Sequence, residues 1–231
     1  MQKLKLSGLA ILSGLLMGIA WPGTGGIAPL FFIALIPLLY MEYLISQNPD
    51  KLKSRHLFFN AYLAFLTFNV FTTWWIWNAD PAGMIMAEVL YSLFMAITFL
   101  WFHKIKKNLG EKKGYFALVV VWIGFEWLHY NWEFSHPWNT FGNTFANFTP
   151  IIQWYEYTGV LGGTLWILIA NILLFKLFKQ TVILKESLKK NIKSLSLIAA
   201  VIILPILFSV IIYTTYTEEE NPVEIVVVQP N

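Results

Sequence analysis

Long apolar blocks alternate with short polar clusters along the whole chain. A membrane core of about 30 Å requires roughly 20 apolar residues in a helix. Seven segments come near this length: Leu6–Trp21, Ile27–Leu44, Leu57–Trp77, Gly83–Phe102, Tyr115–Trp132, Thr158–Phe175 and Leu195–Tyr213. Lipid offers the backbone no hydrogen-bond partner, so such segments are expected to be helical. The pattern predicts an all-α polytopic membrane protein with about seven transmembrane helices.

The first segment is the shortest and has an alternative interpretation. A short apolar core follows Lys3 and Lys5, and Gly18-Ile19-Ala20 has the small-x-small pattern of a signal-peptide cleavage site. Trp21-Pro22 directly after it is a poor cleavage context. Cleavage at this point would not change the orientation of the other helices.

The basic residues indicate which way the helices face. With the N-terminus in the cytoplasm, all 16 Lys and Arg residues fall on the cytoplasmic side, and the opposite connections contain none. Cytoplasmic loops are the ones expected to carry Lys and Arg. Adding or removing one span would destroy this alternation. The distribution therefore predicts seven spans and a C-terminus on the non-cytoplasmic side.

Composition narrows the classes of function. Charged residues make up 13% of the chain, against roughly 25% in soluble domains. The net charge of +3 does not indicate nucleic acid, because the basic residues lie in short clusters between apolar blocks. There is no cysteine, which excludes disulfides, thiolate metal sites and cysteine nucleophiles within these residues. The four histidines lack metal-ligand spacing, so no metal and no cofactor is predicted.

Tryptophan is concentrated on the predicted outer side. Eight of the eleven tryptophans fall there or at the adjoining helix ends: Trp21, Trp74, Trp75, Trp77, Trp127, Trp132, Trp138 and Trp154. An aromatic belt at the headgroups explains most of them, but a belt should populate both interfaces. The imbalance suggests a lipid-handling cavity on the outer side.

Three acidic residues lie within the predicted spans. A charge at mid-membrane costs roughly 2.5 kcal/mol or more, so it usually has a partner or a function. Glu42 lies near the cytoplasmic end of its helix, from where we expect it to reach the headgroups. Glu88 and Glu126 lie roughly 8 Å inside the outer boundary. Either could bind a lipid headgroup, orient another side chain or accept hydrogen bonds between helices.

A few other polar or small residues inside the spans are better explained by helix packing than by ligand binding. Small residues let helix backbones approach closely, and amide side chains form hydrogen bonds between helices. The residues concerned are Asn69, Asn171 and the pair Gly162-Gly163.

The predicted loop Glu133–Tyr157 is long, aromatic and free of basic residues. Long loops without secondary structure are often functional. Ser135 and His136 are adjacent, but adjacency in a flexible loop does not make a nucleophile–base pair. We therefore predict a role in binding for this loop and no catalysis by these two residues.

Composition changes after the seventh segment. A polar, acidic linker, Thr214–Pro222, precedes the β-branched run Val223–Asn231, which is typical of a buried strand. A single strand is not stable alone. The pattern predicts a transmembrane helical domain at residues 1–217, followed at 218–231 by a linker and the first strand of a second, soluble domain.

Several short motifs occur in a specific order. They are Ala20-Trp21-Pro22 before Pro29-Leu30, Trp74-Trp75-Ile76-Trp77, Glu126-Trp127-Leu128, Pro137-Trp138 with Phe141-Gly142, Gln153, Gly159-Val160-Leu161-Gly162, Asn171 and the terminal run Val226–Asn231. In these motifs, over essentially the whole chain, the sequence resembles the bacterial apolipoprotein N-acyltransferases. It departs from them at His129, where the family often has Arg.

The resemblance implies a fold and an activity. Such proteins have a multi-helix part in the cytoplasmic (inner) membrane, followed by a periplasmic nitrilase-like (carbon-nitrogen hydrolase) domain. An acyl chain passes from a phospholipid donor to a cysteine thiol, and then to the amine of a diacylglyceryl-modified lipoprotein. Their Glu–Lys–Cys triad lies in the soluble domain, so no catalytic residue is assigned here and the chain alone is expected to be inactive.

The resemblance gives the membrane part a role in holding lipid substrates against the outer leaflet. The residues predicted to line this lipid or substrate groove are Glu88, Glu126, His129, His136, Pro137, Trp138, Gly142 and Gln153. Two other functions stay open, a polytopic transporter and a non-enzymatic membrane scaffold. Against a transporter stand the absence of internal repeats and of paired mid-membrane charges.

Overall fold

The computed structural model describes residues 2–218 and 224–228, and it is all-helical within those ranges. Eight α-helices occur there: α1 Gln2–Ala20, α2 Phe31–Ala34, α3 Ile36–Gln47, α4 Ser54–Thr73, α5 Pro81–Leu109, α6 Glu111–Tyr130, α7 Tyr155–Phe178 and α8 Ile192–Thr215. Short 3-10 helices lie between them at Ala28–Leu30, Trp74–Asn78, Pro137–Asn139, Phe141–Phe145, Thr149–Ile151 and Leu188–Asn191, and a π-helix at Lys179–Ile183. The predicted all-α class is confirmed for the described residues.

Within the described residues, five helical stretches are long and apolar enough to cross a membrane. They are Ala28–Gln47, Ser54–Asn78, Pro81–Leu109, Tyr155–Ile183 and Leu188–Thr215, and they match the second, third, fourth, sixth and seventh predicted segments. The first predicted segment forms a shorter apolar helix, Leu4–Ala20. The fifth forms α6, whose first turn carries Glu111, Lys112 and Lys113. The full count of seven spans therefore stays a prediction.

Helix α1 packs closely against α4. A Cβ atom added to Gly14 would lie 2.4 Å from the backbone oxygen of Ala64, so a side chain at this position would force the two helices apart. On a neighbouring face, the buried hydroxyl of Ser13 donates to the backbone oxygen of Ala34 at 2.6 Å. These contacts make α1 an integral part of the helix bundle.

The second span is broken at Leu35, between α2 and α3. The Leu35 amide donates to Oδ1 of Asn171 at 2.9 Å, and Nδ2 of Asn171 donates to the Phe31 oxygen at 2.8 Å. In an uninterrupted helix those two backbone groups would bond to each other. Pro37 then lies in the first turn of α3, where its missing amide costs nothing. The predicted packing role of Asn171 is confirmed, since its side chain joins α7 to the second span.

Helix α8 lies at the edge of the bundle. It is strongly apolar, yet its buried residues are Ile198 and Ser209. Side chains such as Leu204 and Ile211 are exposed on its outer faces, as expected for a helix that faces lipid. The indole of Trp166 on α7 donates to the Val201 oxygen at 2.7 Å and holds α8 against its neighbour.

The two ends of the bundle differ in composition. We call the end formed by residues 21–27, 74–80 and 131–154 the aromatic end, and the end formed by residues 47–54, 103–114 and 176–191 the basic end. The exposed tryptophans at the aromatic end or on the adjoining helix turn are Trp74, Trp75, Trp77, Trp127 and Trp138, whereas the half of the bundle nearer the basic end exposes Trp101. Within the described residues the predicted imbalance of tryptophan is confirmed.

The tail beyond α8 is described at residues 216–218 and 224–228, which form no regular element. The side chains from Ile225 to Val228 are 75–84% exposed. Val223, Gln229, Pro230 and Asn231 of the predicted strand lie outside the described residues. The strand, the second domain and the boundary after residue 217 therefore stay predictions.

Candidate functional site

The segment between α6 and α7 is the largest feature of the aromatic end. It was expected to be a long flexible loop, but it folds as three short 3-10 helices at Pro137–Asn139, Phe141–Phe145 and Thr149–Ile151. Its buried members are His136, Asn139, Thr140, Phe141, Gly142, Thr144 and Phe145. We call residues 131–154 the cap. The segment is therefore not an extended loop, because seven of its 24 residues are buried against the bundle.

Phe141 inserts deepest of the cap residues. Its ring stacks on Trp122 of α6 with ring centroids 4.7 Å apart and meets the edge of Phe31 at 4.9 Å. Phe141 is fully buried. Burying a Phe side chain contributes roughly 1.5–3 kcal/mol, and aromatic pairing adds to it. The cap is therefore held by the same aromatic core that joins the helices.

Glu126 joins the cap to two helices. One carboxylate oxygen accepts the Phe141 amide at 2.9 Å and the Trp122 indole at 3.1 Å, and the other accepts the Thr164 hydroxyl at 2.6 Å. The residue is 1% exposed. A buried carboxylate is costly unless such donors replace water. Of the roles predicted for Glu126, the structure places its carboxylate as a hydrogen-bond acceptor between α6, α7 and the cap.

Gly142 lets the cap lie directly on α7. A Cβ atom there would be 2.0 Å from the Val160 oxygen, a contact that only glycine avoids. The Gly142 amide donates to Thr164 Oγ1 at 3.0 Å, and its carbonyl accepts the Tyr155 hydroxyl at 3.0 Å. Gly163 faces it, since a Cβ there would lie 3.0 Å from the Gly142 Cα. The predicted packing role is thus confirmed for Gly163.

A second hydrogen-bond chain joins the cap to α4 and α5. Nδ2 of Asn139 donates to Oδ1 of Asn69 at 2.8 Å, and Nδ2 of Asn69 donates to Oγ of Ser92 at 2.8 Å. All three side chains are fully buried. The packing role predicted for Asn69 is confirmed. Sequence reasoning missed Asn139, Ser92 and Thr164, because one short polar side chain in an apolar context does not reveal its partner.

Glu88 lies beside this chain on α5. It is 3% exposed, and one carboxylate oxygen accepts the Thr73 hydroxyl. The other oxygen, Oε2, is buried and has no hydrogen-bond partner among the described residues. Glu88 is thus a buried carboxylate with free acceptor capacity among the described residues.

His129 and His136 share a cavity of about 190 Å³ near the outer surface of α5 and α6. We call it the histidine cavity, lined by Met86, Ala87, Leu90, Tyr91, Phe94, His129, Glu133, Phe134, Ser135 and His136. His136 Nε2 and the Tyr91 hydroxyl are buried there without a hydrogen-bond partner among the described residues. Burial, and to a smaller extent His129, lower the pKa of His136 to about 4. His136 is therefore neutral at neutral pH.

Ser135 does not pair with His136. Its hydroxyl donates to the backbone oxygen of His129 at 3.0 Å. His129 in turn directs Nδ1 to the Phe125 oxygen at 2.9 Å. Ser135 and His136 are thus not hydrogen-bonded to each other, and the absence of catalysis by them stays a prediction.

Pro137 and Trp138 form the outermost turn of the cap. Pro137 begins a 3-10 helix, and the Trp138 ring is 57% exposed. It meets Trp75 edge-on with ring centroids 5.8 Å apart. Together with the other exposed tryptophans of this end, the pair forms an aromatic surface of the type found at membrane interfaces.

An apolar groove of about 490 Å³ lies between α7 and α8. We call it the lateral groove, lined by Trp154, Tyr157, Thr158, Leu204, Pro205 and Phe208. Gln153 lies at its rim, because its backbone amide donates to the Ser209 hydroxyl, one residue beyond Phe208. The C-terminal end of the cap therefore lies directly beside this groove.

The eight predicted site residues occupy several places at the aromatic end. Glu126 and Gly142 belong to one hydrogen-bond network under the cap, while His129 and His136 line the histidine cavity. Pro137 and Trp138 are at the surface, Gln153 is at the lateral groove, and Glu88 is buried beside Thr73. The structure brings all of them to one end of the bundle but not into one groove, and their contact with a lipid stays a prediction.

Known proteins match the chain over most of its length. The family described as Apolipoprotein N-acyltransferase N-terminal domain matches residues 13–173. An apolipoprotein N-acyltransferase of Chlorobaculum tepidum is 31% identical over 227 residues, which are 96% of this chain and 41% of the relative. One of Geobacter metallireducens is 29% identical over 185 residues, 74% of this chain and 33% of the relative. No solved structure matches the chain.

Proposed function

The chain belongs to the apolipoprotein N-acyltransferase family, and on that premise we propose that it forms the membrane part of an enzyme that acylates lipoproteins. In this proposal an acyl chain leaves a phospholipid and is transferred to the N-terminal diacylglyceryl-cysteine of a lipoprotein. The chain spans 41% and 33% of the two relatives named above. The activity is therefore proposed for the protein of which these residues are the membrane part.

We assign the residues that carry out the acyl transfer to a part of the protein outside these 231 residues. A covalent relay through a thiol divides one difficult acyl transfer into two easier steps. None of the 231 residues is cysteine, so the thiol that the resemblance implies is supplied elsewhere. The role proposed for the membrane part is to hold the lipid substrates beside that reactive group.

The observation that carries this proposal is the ordered cap with its exposed aromatic surface. The cap is joined to the bundle through Glu126 and Gly142, and it presents Trp138 beside Trp75. Aromatic side chains in this arrangement suit the interface between acyl chains and headgroups. An ordered surface can position a lipid without first paying the entropy of its own ordering.

The lateral groove is the proposed path of an acyl chain. Its lining is almost entirely apolar, and it opens between two helices instead of into the bundle core. An acyl chain in this groove would have its polar end near the rim at Gln153. This placement agrees with the grouping of the predicted site residues at the aromatic end.

The proposed location is the bacterial inner membrane, with the aromatic end facing the periplasm. All 16 Lys and Arg residues lie in the helix ends and connections that the sequence pattern assigns to the opposite side, which supports a cytoplasmic position for the basic end. The N-terminus would then be cytoplasmic, and the residues after α8 would be periplasmic. Both lipid substrates would be met in the outer leaflet.

A pair of tryptophan variants of the full-length protein tests this function. Trp138→Ala should slow acyl transfer to a diacylglyceryl peptide roughly 3- to 10-fold, the effect of losing an interfacial aromatic contact. Trp101→Ala is the matched control, because Trp101 is 55% exposed against 57% for Trp138 but belongs to the other half of the bundle. Formation of the acyl-enzyme and its transfer to the peptide should be measured separately.

Two outcomes would contradict the proposal. If Trp138→Ala and Trp101→Ala leave both steps equally unaffected, the aromatic end has no part in holding substrate. If the unsubstituted protein transfers no acyl chain in this assay, the family activity itself fails, and the transporter and scaffold functions become the ones to test.

A further inference from the structure

The basic end contains a cavity of about 770 Å³ at the junction of α3, the turn before α4, and the end of α5. We call it the basic cavity. Its lining includes four cationic side chains, Lys53, Arg55, Lys106 and Lys107, and one acidic side chain, Glu111. Glu111 is already paired with Lys179 at 2.8 Å. The cavity therefore carries an excess of positive charge.

Glu42 does not line the cavity but lies directly behind three of its lining residues. It accepts hydrogen bonds from Ser46 at 2.7 Å, from Lys106, and shares one with His103 at 2.9 Å. The expectation that Glu42 reaches the headgroups is wrong, because the residue is 1% exposed and its oxygens are used inside the bundle. Glu42 neutralises Lys106 and fixes α3 against α5, so the wall of the cavity is pre-organised.

Two cations remain without a protein partner. Arg55 and Lys107 are exposed and make no hydrogen bond or ion pair with any described residue. Arg55 is also the single arginine of the chain. A guanidinium group binds phosphate oxygens in pairs, which a lysine cannot do. Helix α4 begins at Ser54, so the positive end of its dipole adds to the same field.

The surroundings of Arg55 favour a lipid over a free anion. Phe59 lies four residues further along α4, on the same face, and is 65% exposed. It belongs to the stretch Ser54–Asn78, which is long and apolar enough to cross a membrane. A phosphate at Arg55 would thus have an apolar surface directly below it, at the depth where an acyl chain would run.

We propose that the basic cavity binds the phosphate of an anionic phospholipid, with Arg55 and Lys107 as its ligands and Phe59 beside the acyl chain. The site is at the opposite end of the bundle from the proposed acyl-transfer surface and does not depend on that function. Basic pockets between helices on the cytoplasmic side are a recurrent form of recognition of anionic lipids.

The proposal is tested by lipid titration of the purified full-length protein in mild detergent. Phosphatidylglycerol and cardiolipin should each raise the melting temperature, whereas phosphatidylcholine at the same concentration should not. In the double variant Arg55→Ala, Lys107→Ala, the lipid concentration needed for half the shift should rise roughly tenfold or more, since charge-assisted hydrogen bonds are lost. The control is Lys112→Ala, Lys113→Ala, which removes the same charge from exposed residues outside the cavity.

Three results would overturn the proposal. Equal losses in both double variants would show a general charge effect instead of a site. An equal shift with inorganic phosphate alone would show that a free anion, not a lipid, is the ligand. Native mass spectrometry of the unsubstituted protein, extracted from membranes together with its lipids, should detect a bound anionic phospholipid. The absence of such a lipid would contradict the proposal without reference to any variant.

Discussion

Two buried carboxylates at opposite ends of the bundle show how those ends differ. Glu126 at the aromatic end and Glu42 at the basic end are both 1% exposed. The hydrogen-bond donors of Glu126 are neutral, an indole, an amide and a hydroxyl. Glu42 instead contacts Lys106 and His103. The same residue type thus orders a cap in one place and offsets a cation in the other.

The difference follows from what each end presents to its surroundings. The aromatic end contains no Lys or Arg and exposes tryptophan. The hydrogen-bond donors of its buried carboxylate, Glu126, are therefore neutral N–H and O–H groups. The basic end collects lysines, and there an acid can pair with one of them and leave the others available. A carboxylate inside a membrane span is therefore interpreted from its hydrogen-bond donors, since its depth alone does not distinguish the two cases.

The largest expected effect comes from neutralising each acid in turn. Glu42→Gln leaves the Lys106 ammonium, 10% exposed, without its counter-charge. This substitution should lower the free energy of unfolding by about 3–5 kcal/mol, the loss typical of a broken buried ion pair. Glu126→Gln keeps an acceptor oxygen for the Phe141 amide and should cost about 1–3 kcal/mol. Thermal unfolding in detergent measures both, and equal losses would remove the distinction between the two ends.

Acid should destabilise the aromatic end through His136. Because the pKa of His136 in the folded protein is lowered to about 4 from 6.5, the unfolded chain binds the proton more readily. The free energy of unfolding therefore keeps its full value above pH 6.5. It decreases by up to about 3 kcal/mol as the pH falls from 6.5 to 4. In His136→Gln this part of the pH dependence should vanish. The same acid loss in both proteins would show that His136 is not the group responsible.

A smaller effect separates a buried glycine, Gly142, from an exposed one, Gly124. Gly142→Ala should cost about 1–3 kcal/mol, because the new methyl group meets the Val160 backbone at 2.0 Å. Gly124→Ala, on an open face of α6 with nothing within 4 Å, should be neutral or stabilise by up to about 1 kcal/mol. Urea or thermal unfolding of the two variants compares them directly. A tolerated Gly142→Ala would mean that the cap is not held tightly on α7.

The hydropathy pattern predicts the helices well because the length of an apolar segment is a local property. The predicted segment Thr158–Phe175 differs from α7 by three residues at each end, and Leu195–Tyr213 differs from α8 by three and two. The break at Leu35 depends on Asn171, which is 136 residues away in the chain. No local pattern contains that information.

The sequence predicts at which end of the bundle the candidate site lies, but not which side chains contact one another there. Tryptophan placement and the long segment after α6 predicted a site at the aromatic end, and that it binds lipid stays a prediction. The cap was nevertheless expected to be a flexible loop, since its order depends on Phe141 finding Trp122 and Phe31 in the core. The partners of Glu126 were not foreseen either, because Thr164 is one hydroxyl among many in an apolar helix.

The orientation proposed for the bundle, with its two ends on opposite sides of the membrane and the aromatic end outside, can be measured directly. These residues suit cysteine labelling, because none of the 231 is cysteine. Any cysteine elsewhere in the full-length protein is first replaced by serine, and that protein without an introduced cysteine is the blank. Ala146→Cys lies exposed on the cap, and Asn108→Cys lies exposed at the basic end. A membrane-impermeant maleimide reagent added to cells with a permeabilised outer membrane should label Ala146→Cys at once. It should label Asn108→Cys only after the inner membrane is opened. The reverse pattern, or labelling of both variants from the same side, would contradict this orientation.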